Sequence, residues 1–490
     1  MNRIYNIFLL VIFLTVFLCC GAAPAYEDSY PQVGSYLLID ADTGQVLAAK
    51  NQNQKVYPAS TTKLMTGLLL LEQKGLEGEV TVGDEIAGLA ATSSLMGLEQ
   101  GETVTVKDLF YGLMVSSGND AAMTIAKYVS GGVDEFCALM NSRAAELGMG
   151  STNFANPDGV FINEIQGEND TQSNLGKNHF TTAEDMSKLV MEAVKHQEIL
   201  DSATTKTYTL AATNVHTQPR EIENSNRLIY TSLEKPDEAE FLYEYATGIK
   251  TGLIANIKPE NDVIPLYGCL LASAERNDMR FAALIYADIS ENAYDRWRIA
   301  KDLFDYGFEN YQKVDLAQYI EAVDVTEQAA DGSTVRVTGD PSPYIPPPVL
   351  MDNEMANQLA SGVLTINRVV DIPALVSSVA DGTQVGTATY MLGDIEVCSV
   401  ALSAGDSSSA SIDPLVSAAP EQTPYQSQAV SLIPERNPDE PNTWWVLIVI
   451  PGAVVGVLFA LRRRKLAKSK KRKMRHYRQT PAKRSARRRG

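Results

Sequence analysis

Two apolar segments near the ends of the chain constrain its organisation more than any other feature. Residues 1–25 combine a basic start, an apolar run and small residues before Tyr26, which is typical of a secretory signal peptide. Residues 443–461 are apolar, open with a tryptophan pair and are long enough to cross about 30 Å of hydrocarbon. The sequence therefore predicts an exported chain held by one transmembrane helix. A retained anchor is the alternative for the first segment.

The formal net charge of −18 is the sum of two opposed parts. Residues 462–490 contain 16 lysines and arginines and no acidic residue, whereas the rest of the chain carries 26 basic and 60 acidic residues, a net charge of −34. Basic residues directly after an apolar span favour the cytoplasmic side of a membrane. We therefore expect a single-pass cell-membrane protein with a cytoplasmic tail that contacts anionic lipid, and no nucleic-acid partner.

Between these two segments the sequence pattern and composition change twice. Residues 26–311 alternate short strands with apolar helices, residues 312–404 contain short β-branched runs separated by turns, and residues 405–442 are a solvated, acidic stretch rich in serine and proline. The predicted fold class is α/β (α+β), with an antiparallel sheet flanked by helices, followed by a small all-β domain, a disordered linker and the C-terminal transmembrane helix.

Periodicity predicts individual elements in both folded regions. The predicted strands are Tyr36–Asp40, Gln45–Ala49, Leu266–Ala274, Arg280–Ile289, Ser333–Val337, Gly362–Ile366 and Gln384–Ala388. The predicted helices are Ser60–Gln73, Lys107–Tyr128, Val133–Leu147 and Ala293–Tyr306.

A serine and a lysine three residues apart, Ser60 and Lys63, begin the first predicted helix. Residues i and i+3 lie on one face of a helix, so the amine can reach the hydroxyl and act as its base if burial lowers the pKa of the lysine. The spacing alone is weak evidence, because it recurs at Ser232 and Lys235 in a charged, turn-like setting. An N-terminal helix cap beside a surface lysine is the alternative interpretation.

Two further polar motifs interrupt apolar surroundings. Ser117-Gly118-Asn119 opposes helix propensity in the middle of a helical pattern, so either a loop breaks in or polar groups face a cleft. Lys250-Thr251-Gly252 offers an ammonium, a hydroxyl and a bare backbone, which suit a substrate carboxylate and an adjacent peptide. Taken alone, Lys250-Thr251-Gly252 fits an exposed turn better than a binding site.

Together and in this order, the motifs resemble those of the low-molecular-weight penicillin-binding proteins that act as serine D-alanyl-D-alanine carboxypeptidases, peptidase family S11. The likeness extends over roughly Tyr36 to Tyr311 and implies a fold like that of the penicillin-binding proteins and serine β-lactamases. Six segments carry it, residues 58–66, 116–121, 156–159, 179–186, 247–252 and 305–308.

The resemblance implies a role for each matching residue. Ser60 would attack the carbonyl between two D-alanines, Lys63 would be its general base, and Ser117 would pass a proton to the leaving amine. The reaction would remove the terminal D-alanine from peptidoglycan pentapeptide stems, and β-lactams would be trapped on Ser60 as inhibitors.

The remaining motif residues would bind substrate. Asn119 would hold the peptide and orient the base, Lys250 and Thr251 would bind the terminal carboxylate, and Gly252 would admit the peptide. The backbone N–H of Leu253 would complete an oxyanion hole with that of the nucleophile. The chain departs from the family in having Leu253-Ile254 after the Lys-Thr-Gly motif, so its substrate preference is expected to differ.

Other function classes fit less well. Cys137, Cys269 and Cys398 lie far apart, so neither a metal site nor a disulfide framework is predicted, and no cofactor is implied. The four histidines have no context for a Ser-His-Asp triad. A β-lactamase remains an alternative, although the chain has no E-x-x-L-N segment for fast deacylation. A catalytically idle cell-wall scaffold is the other.

Overall fold

The computed structural model describes residues 25–89, 93–160, 179–232, 235–257 and 264–405. The strands in these ranges are β1 (Val33–Asp40), β2 (Val46–Lys50), β3 (Glu79–Thr81), β4 (Thr103–Thr105), β5 (Thr207–Leu210), β6 (Arg220–Glu223), β7 (Ala246–Ile257), β8 (Ile264–Arg276), β9 (Met279–Asp288), β10 (Tyr311–Val314), β11 (Val323–Gln328), β12 (Thr334–Gly339), β13 (Val349–Asp352), β14 (Ile366–Asp371), β15 (Gln384–Leu392) and β16 (Ile395–Ala404). The α-helices are α1 (Lys63–Gln73), α2 (Val106–Met114), α3 (Asn119–Ser130), α4 (Val133–Glu146), α5 (Ala183–Ala193), α6 (Gln197–Thr204), α7 (Asp295–Asn310) and α8 (Asn353–Ala360).

Five antiparallel strands form the central sheet, in the order β2-β1-β9-β8-β7. The predicted hairpins of this sheet are confirmed. The β8–β9 hairpin turns at Asn277 and Asp278, whose φ values of 52° and 60° are the positive values that a tight hairpin turn requires. Within the described residues β7 pairs only with β8, so it forms one edge of the sheet.

Helices cover both faces of the central sheet. Leu37 and Leu284 point into a core with helices α1 to α6, whereas their neighbours Leu38 and Ile285 point into a second core with α7. Successive side chains of a strand point to opposite faces, so an apolar pair can serve two cores at once. The predicted antiparallel sheet between helices is therefore confirmed.

Two predicted helices begin or run differently in the structure. The predicted helix Lys107–Tyr128 is wrong in its middle, because α2 ends at Met114 and α3 begins at Asn119. Ser117 between them has a φ of 63°, in the left-handed region, which a continuous helix does not allow. The predicted helix from Ser60 opens with a 3₁₀ turn, Ala59–Thr62, and becomes α-helical only at Lys63.

A second antiparallel sheet follows, in the order β11-β12-β16-β15-β14. Its strands lie between residues 323 and 404, within the region for which the sequence predicts a small all-β domain. The predicted strand Gly362–Ile366 is wrong except at its last residue, where β14 begins. The N–H groups of Gly362 and Val363 donate to Leu359 and Gln358, because this segment caps the end of α8, and Gly362 takes the positive φ of such a cap.

The predicted membrane helix and basic tail lie outside the described residues, as do the predicted signal peptide and linker apart from one residue each. Within the described ranges, no helix has both the length and the apolar character needed to cross a membrane.

Candidate active site

The 3₁₀ turn before α1 presents Ser60 on a strained backbone. Ala59 has a φ of 50°, which is uncommon for a residue with a side chain, and Ser60 is only half-buried. Gly159 packs against this turn, since a Cβ built on it would lie 1.8 Å from the Ala59 carbonyl oxygen. Gly252 approaches from β7, where a Cβ would lie 3.3 Å from the Ser60 nitrogen. Two glycines thus let separate segments close around the serine.

Lys63 is fully buried and directed at the serine. Its Nζ lies 3.0 Å from Ser60 Oγ, 2.6 Å from Asn119 Oδ1 and 2.8 Å from the Asp158 carbonyl oxygen. A neutral amine has two N–H groups and one lone pair. The amide and peptide oxygens accept the two N–H bonds, so the lone pair is left for the Ser60 hydroxyl to donate to.

Burial also sets the protonation of this lysine. Removal from water disfavours the ammonium and lowers the pKa of Lys63 to about 8, although the nearby Asp158 and Asp120 act in the opposite direction. About one Lys63 side chain in ten is therefore neutral at pH 7.

The break between α2 and α3 brings the second motif to the same place. Asn119 starts α3, and its N–H donates to the Ser94 carbonyl over 2.8 Å. Asp120 accepts hydrogen bonds from the N–H groups of Met96, Gly97 and Leu98, each over 2.9 Å. These bonds hold the loop at residues 96–98 against the start of α3. Ser117 is buried two residues before the amide that contacts the lysine. The predicted loop at this motif is thus confirmed, and the Asn119 amide faces Lys63.

The third motif lies on the free edge of the sheet. Lys250 is buried on β7, and burial and the charge of Lys63 lower its pKa. Its Nζ donates to the Thr251 carbonyl over 3.1 Å. Leu253, two residues further, is 49% exposed, so an extended peptide can approach the backbone at this point of the edge.

Ser225 is a site residue that the sequence analysis missed. Its Oγ lies 2.7 Å from Thr251 Oγ1, and its N–H donates to the Val115 carbonyl over 3.2 Å. It therefore joins β7 to the end of α2. Asp158 was also missed as a contact of the lysine, because the group that it contributes is a backbone carbonyl, for which side-chain identity gives no signal.

Among the described residues, one group of side chains could hold a metal ion, formed by Glu72, Glu192 and His196. Arg143 already lies between the carboxylates, with Nη2 2.8 Å from Glu72 and 2.9 Å from Glu192. Glu72 is nine residues beyond Lys63 on α1, about 13 Å along the helix axis. The group is therefore an ion-paired cluster away from the candidate active site.

Comparison with a family model and with known sequences matches this chain to D-alanyl-D-alanine carboxypeptidases. A family model described as D-alanyl-D-alanine carboxypeptidase matches residues 25–289. The chain is 31% identical over 282 residues to D-alanyl-D-alanine carboxypeptidase DacF of Bacillus subtilis, which is 57% of this chain and 62% of the relative. It is 28% identical over 393 residues to DacC of Escherichia coli, 78% of this chain and 86% of the relative. The chain thus spans somewhat less than two thirds of the Bacillus relative.

Solved structures share the fold. Penicillin-binding protein 6B from Escherichia coli superposes with a TM-score of 0.53 at 23% identity, covering 77% of this chain and 96% of that one. Penicillin-binding protein 5 from Haemophilus influenzae gives 0.51 at 23% identity, with 79% and 99% covered. These similarities confirm the predicted fold class for the sheet and its helices.

Proposed function

The chain belongs to the D-alanyl-D-alanine carboxypeptidase family, and on that premise we propose that it removes the terminal D-alanine from peptidoglycan stem peptides through an acyl-enzyme on Ser60. The observation that carries the proposal is the environment of Lys63 Nζ, where two acceptor oxygens and one hydroxyl surround a buried amine. This arrangement suits a general base. A structural lysine would instead need an acidic partner or access to water.

Acylation follows from these contacts. Lys63 takes the proton of Ser60 as Oγ bonds to the carbonyl carbon of the penultimate D-alanine. The C–N bond then breaks, and the proton passes to the leaving amine, with the Ser117 hydroxyl as the proposed relay. Water hydrolyses the resulting ester, which frees the shortened stem and the serine. Backbone N–H groups of Ser60 and Leu253 are the proposed donors to the oxyanion, at roughly 3 kcal/mol for each.

The terminal carboxylate would bind at the third motif. Lys250 supplies the positive charge, and a carboxylate beside it favours the ammonium over the neutral amine. Thr251 and Ser225 add two adjoining hydroxyls. This pair compensates for the unusual Leu253-Ile254, whose side chains carry no donor.

We also propose that the enzyme works on the outer face of the cytoplasmic membrane. The support is the sequence alone, namely the apolar segments within residues 1–25 and 443–461 and the basic residues 462–490. Protease treatment of intact spheroplasts tests this arrangement. Digestion that removes the folded part and leaves a membrane-bound fragment of the tail is expected, and a fully protected protein would contradict it.

A fluorescent penicillin combined with a synthetic pentapeptide ending in D-alanyl-D-alanine tests the activity. We expect one penicilloyl group per protein, located on Ser60 by mass spectrometry, and release of free D-alanine from the peptide. Both should disappear in Ser60→Ala and persist in Ser232→Ala, the matched control from the second Ser-x-x-Lys segment.

The same measurement separates the alternatives. Rapid loss of the label with accumulation of penicilloic acid would identify a β-lactamase. No label on the folded protein would identify a binding protein without catalytic activity, and either result would contradict the carboxypeptidase.

A further inference from the structure

The buried His179 is hydrogen-bonded to two segments that contain or contact Ser60 and Lys63. The Ala155 N–H donates to its Nδ1 over 2.9 Å, and its Nε2 lies 3.0 Å from Thr62 Oγ1. Because a backbone N–H can only donate, Nδ1 must carry a lone pair. The ring proton is therefore on Nε2 and is donated to Thr62, so the imidazole is neutral with a defined tautomer. Burial lowers the pKa of His179 to about 4, in agreement with this state.

Backbone hydrogen bonds hold the ring between these two segments. Phe180, the next residue, exchanges both of its backbone bonds with Asn153, over 2.9 and 3.1 Å. Thr181 does the same with Val56, over 2.9 and 3.0 Å. Residues 179–181 thus lie between two segments. One leads into the 3₁₀ turn that contains Ser60, and the other leads into the loop 155–159, here called the clamp loop.

The clamp loop touches the base and the nucleophile turn directly. Its Asp158 carbonyl accepts from Lys63 Nζ over 2.8 Å, and its Pro157 carbonyl accepts from Thr66 Oγ1 over 2.6 Å. Gly159 lies against the Ala59 carbonyl without room for a side chain. A displacement of this loop would therefore remove one acceptor from the amine and free the lone pair to turn away from Ser60.

We propose that His179 is a positioning residue of the catalytic base: by joining Thr62 of the Ser-x-x-Lys turn to Ala155 of the clamp loop, it holds the Asp158 carbonyl where Lys63 must direct its lone pair at Ser60. The inference rests on the proposed function. It assigns to the histidine a role in the rate of acylation. It assigns none in the binding of the terminal carboxylate, whose proposed site is on β7.

The test is the acylation of the full chain by fluorescent penicillin, with the first-order acylation constant measured separately from the apparent dissociation constant. His179→Phe keeps an aromatic ring and removes both nitrogens. We expect the acylation constant to fall about 10- to 100-fold, since a misplacement of roughly 1 Å can cost as much, and the dissociation constant to stay within about twofold. His179→Gln, which retains a donor and an acceptor, should recover part of the rate.

Thr62→Val removes the other end of the same hydrogen bond with little change of shape, and it remains informative if the ring variant does not fold. The double variant should be no slower than His179→Phe alone, because the bond that Thr62→Val breaks is already lost in His179→Phe. Thr338→Val is the control, since it removes a buried hydroxyl that bonds to the Gly405 carbonyl in the second sheet. It should acylate at the rate of the unchanged protein.

The outcomes are distinguishable. Misfolding lowers the amount of label bound at saturation, whereas mispositioning lowers the rate at full stoichiometry. Folded His179→Phe and Thr62→Val proteins that acylate at the unchanged rate would overturn the inference and leave the proposed function intact. A change confined to the dissociation constant would overturn it too. Absence of labelling in the unchanged protein would remove the proposed function, and the inference with it.

Discussion

Ser60 with Lys63 and Ser232 with Lys235 share one spacing and differ in almost every other respect. Lys63 is 0% exposed and faces a hydroxyl and two acceptor oxygens. The side chain of Lys235 is 56% exposed and lies 3.6 Å from Glu238 in a surface ion pair, which contributes little. The chemistry therefore depends on burial and on distant acceptors, and the spacing only brings amine and hydroxyl within reach.

The largest expected effect compares the two lysines directly. Lys63→Ala should lower the acylation constant by roughly 10²–10⁴-fold, because general base catalysis typically contributes that much. Lys235→Ala should leave it unchanged, since its amine is solvated. The measurement is stopped-flow labelling with fluorescent penicillin. Equal losses in both variants would show that burial does not distinguish the two segments.

The second prediction concerns the pH dependence of the free energy of unfolding that His179, a contact of Thr62, contributes. The pKa of His179 falls from 6.5 to about 4 on folding, so the folded state favours the neutral ring. The stabilisation is complete above pH 6.5 and is lost as the pH falls toward 4, by about 3 kcal/mol in total. Urea unfolding between pH 7 and pH 4 measures it. In His179→Gln this part of the pH dependence should vanish, and an unaltered slope would contradict the assignment.

The third prediction is the pH dependence of acylation itself. With the pKa of Lys63 lowered to about 8 by burial, the active neutral amine gains population as the pH rises. The acylation constant should increase tenfold for each pH unit below 8 and level off above it. The Lys235→Ala protein should follow the same curve. A rate that is flat from pH 6 to pH 9 would argue against a lysine base.

The smallest expected effect is at Ser225. Ser225→Ala removes the hydroxyl that bonds to Thr251, a loss of about 1 kcal/mol. We expect the KM for the pentapeptide to rise about fivefold with little change in kcat, because the contact affects the carboxylate and not the base. Ser333→Ala, in the turn directly before β12, is the control. A loss confined to kcat would place Ser225 with the base instead.

Much of the fold could be predicted from local pattern. The strand alternation and the turn at Asn277 and Asp278 predicted the central hairpin, and the motifs identified Ser60, Lys63 and Asn119, which are in contact. The predicted elements are wrong where backbone N–H and C=O groups make their hydrogen bonds with distant residues or in a helix cap. The helix break at Ser117 and the helix cap at Gly362 both need a positive φ, and no hydrophobic periodicity reports it.

The sequence by itself determined the order of the motifs, the two apolar faces of the central strands and the apolar helix that carries the lysine. The tertiary structure alone decided where the acceptors of that lysine lie. Asn119 and Asp158 lie 56 and 95 positions from it, and Thr62 and His179 are 117 positions apart. Hydrogen bonds between such remote groups leave no local pattern, because they form only when folding removes the amine and its partners from water together.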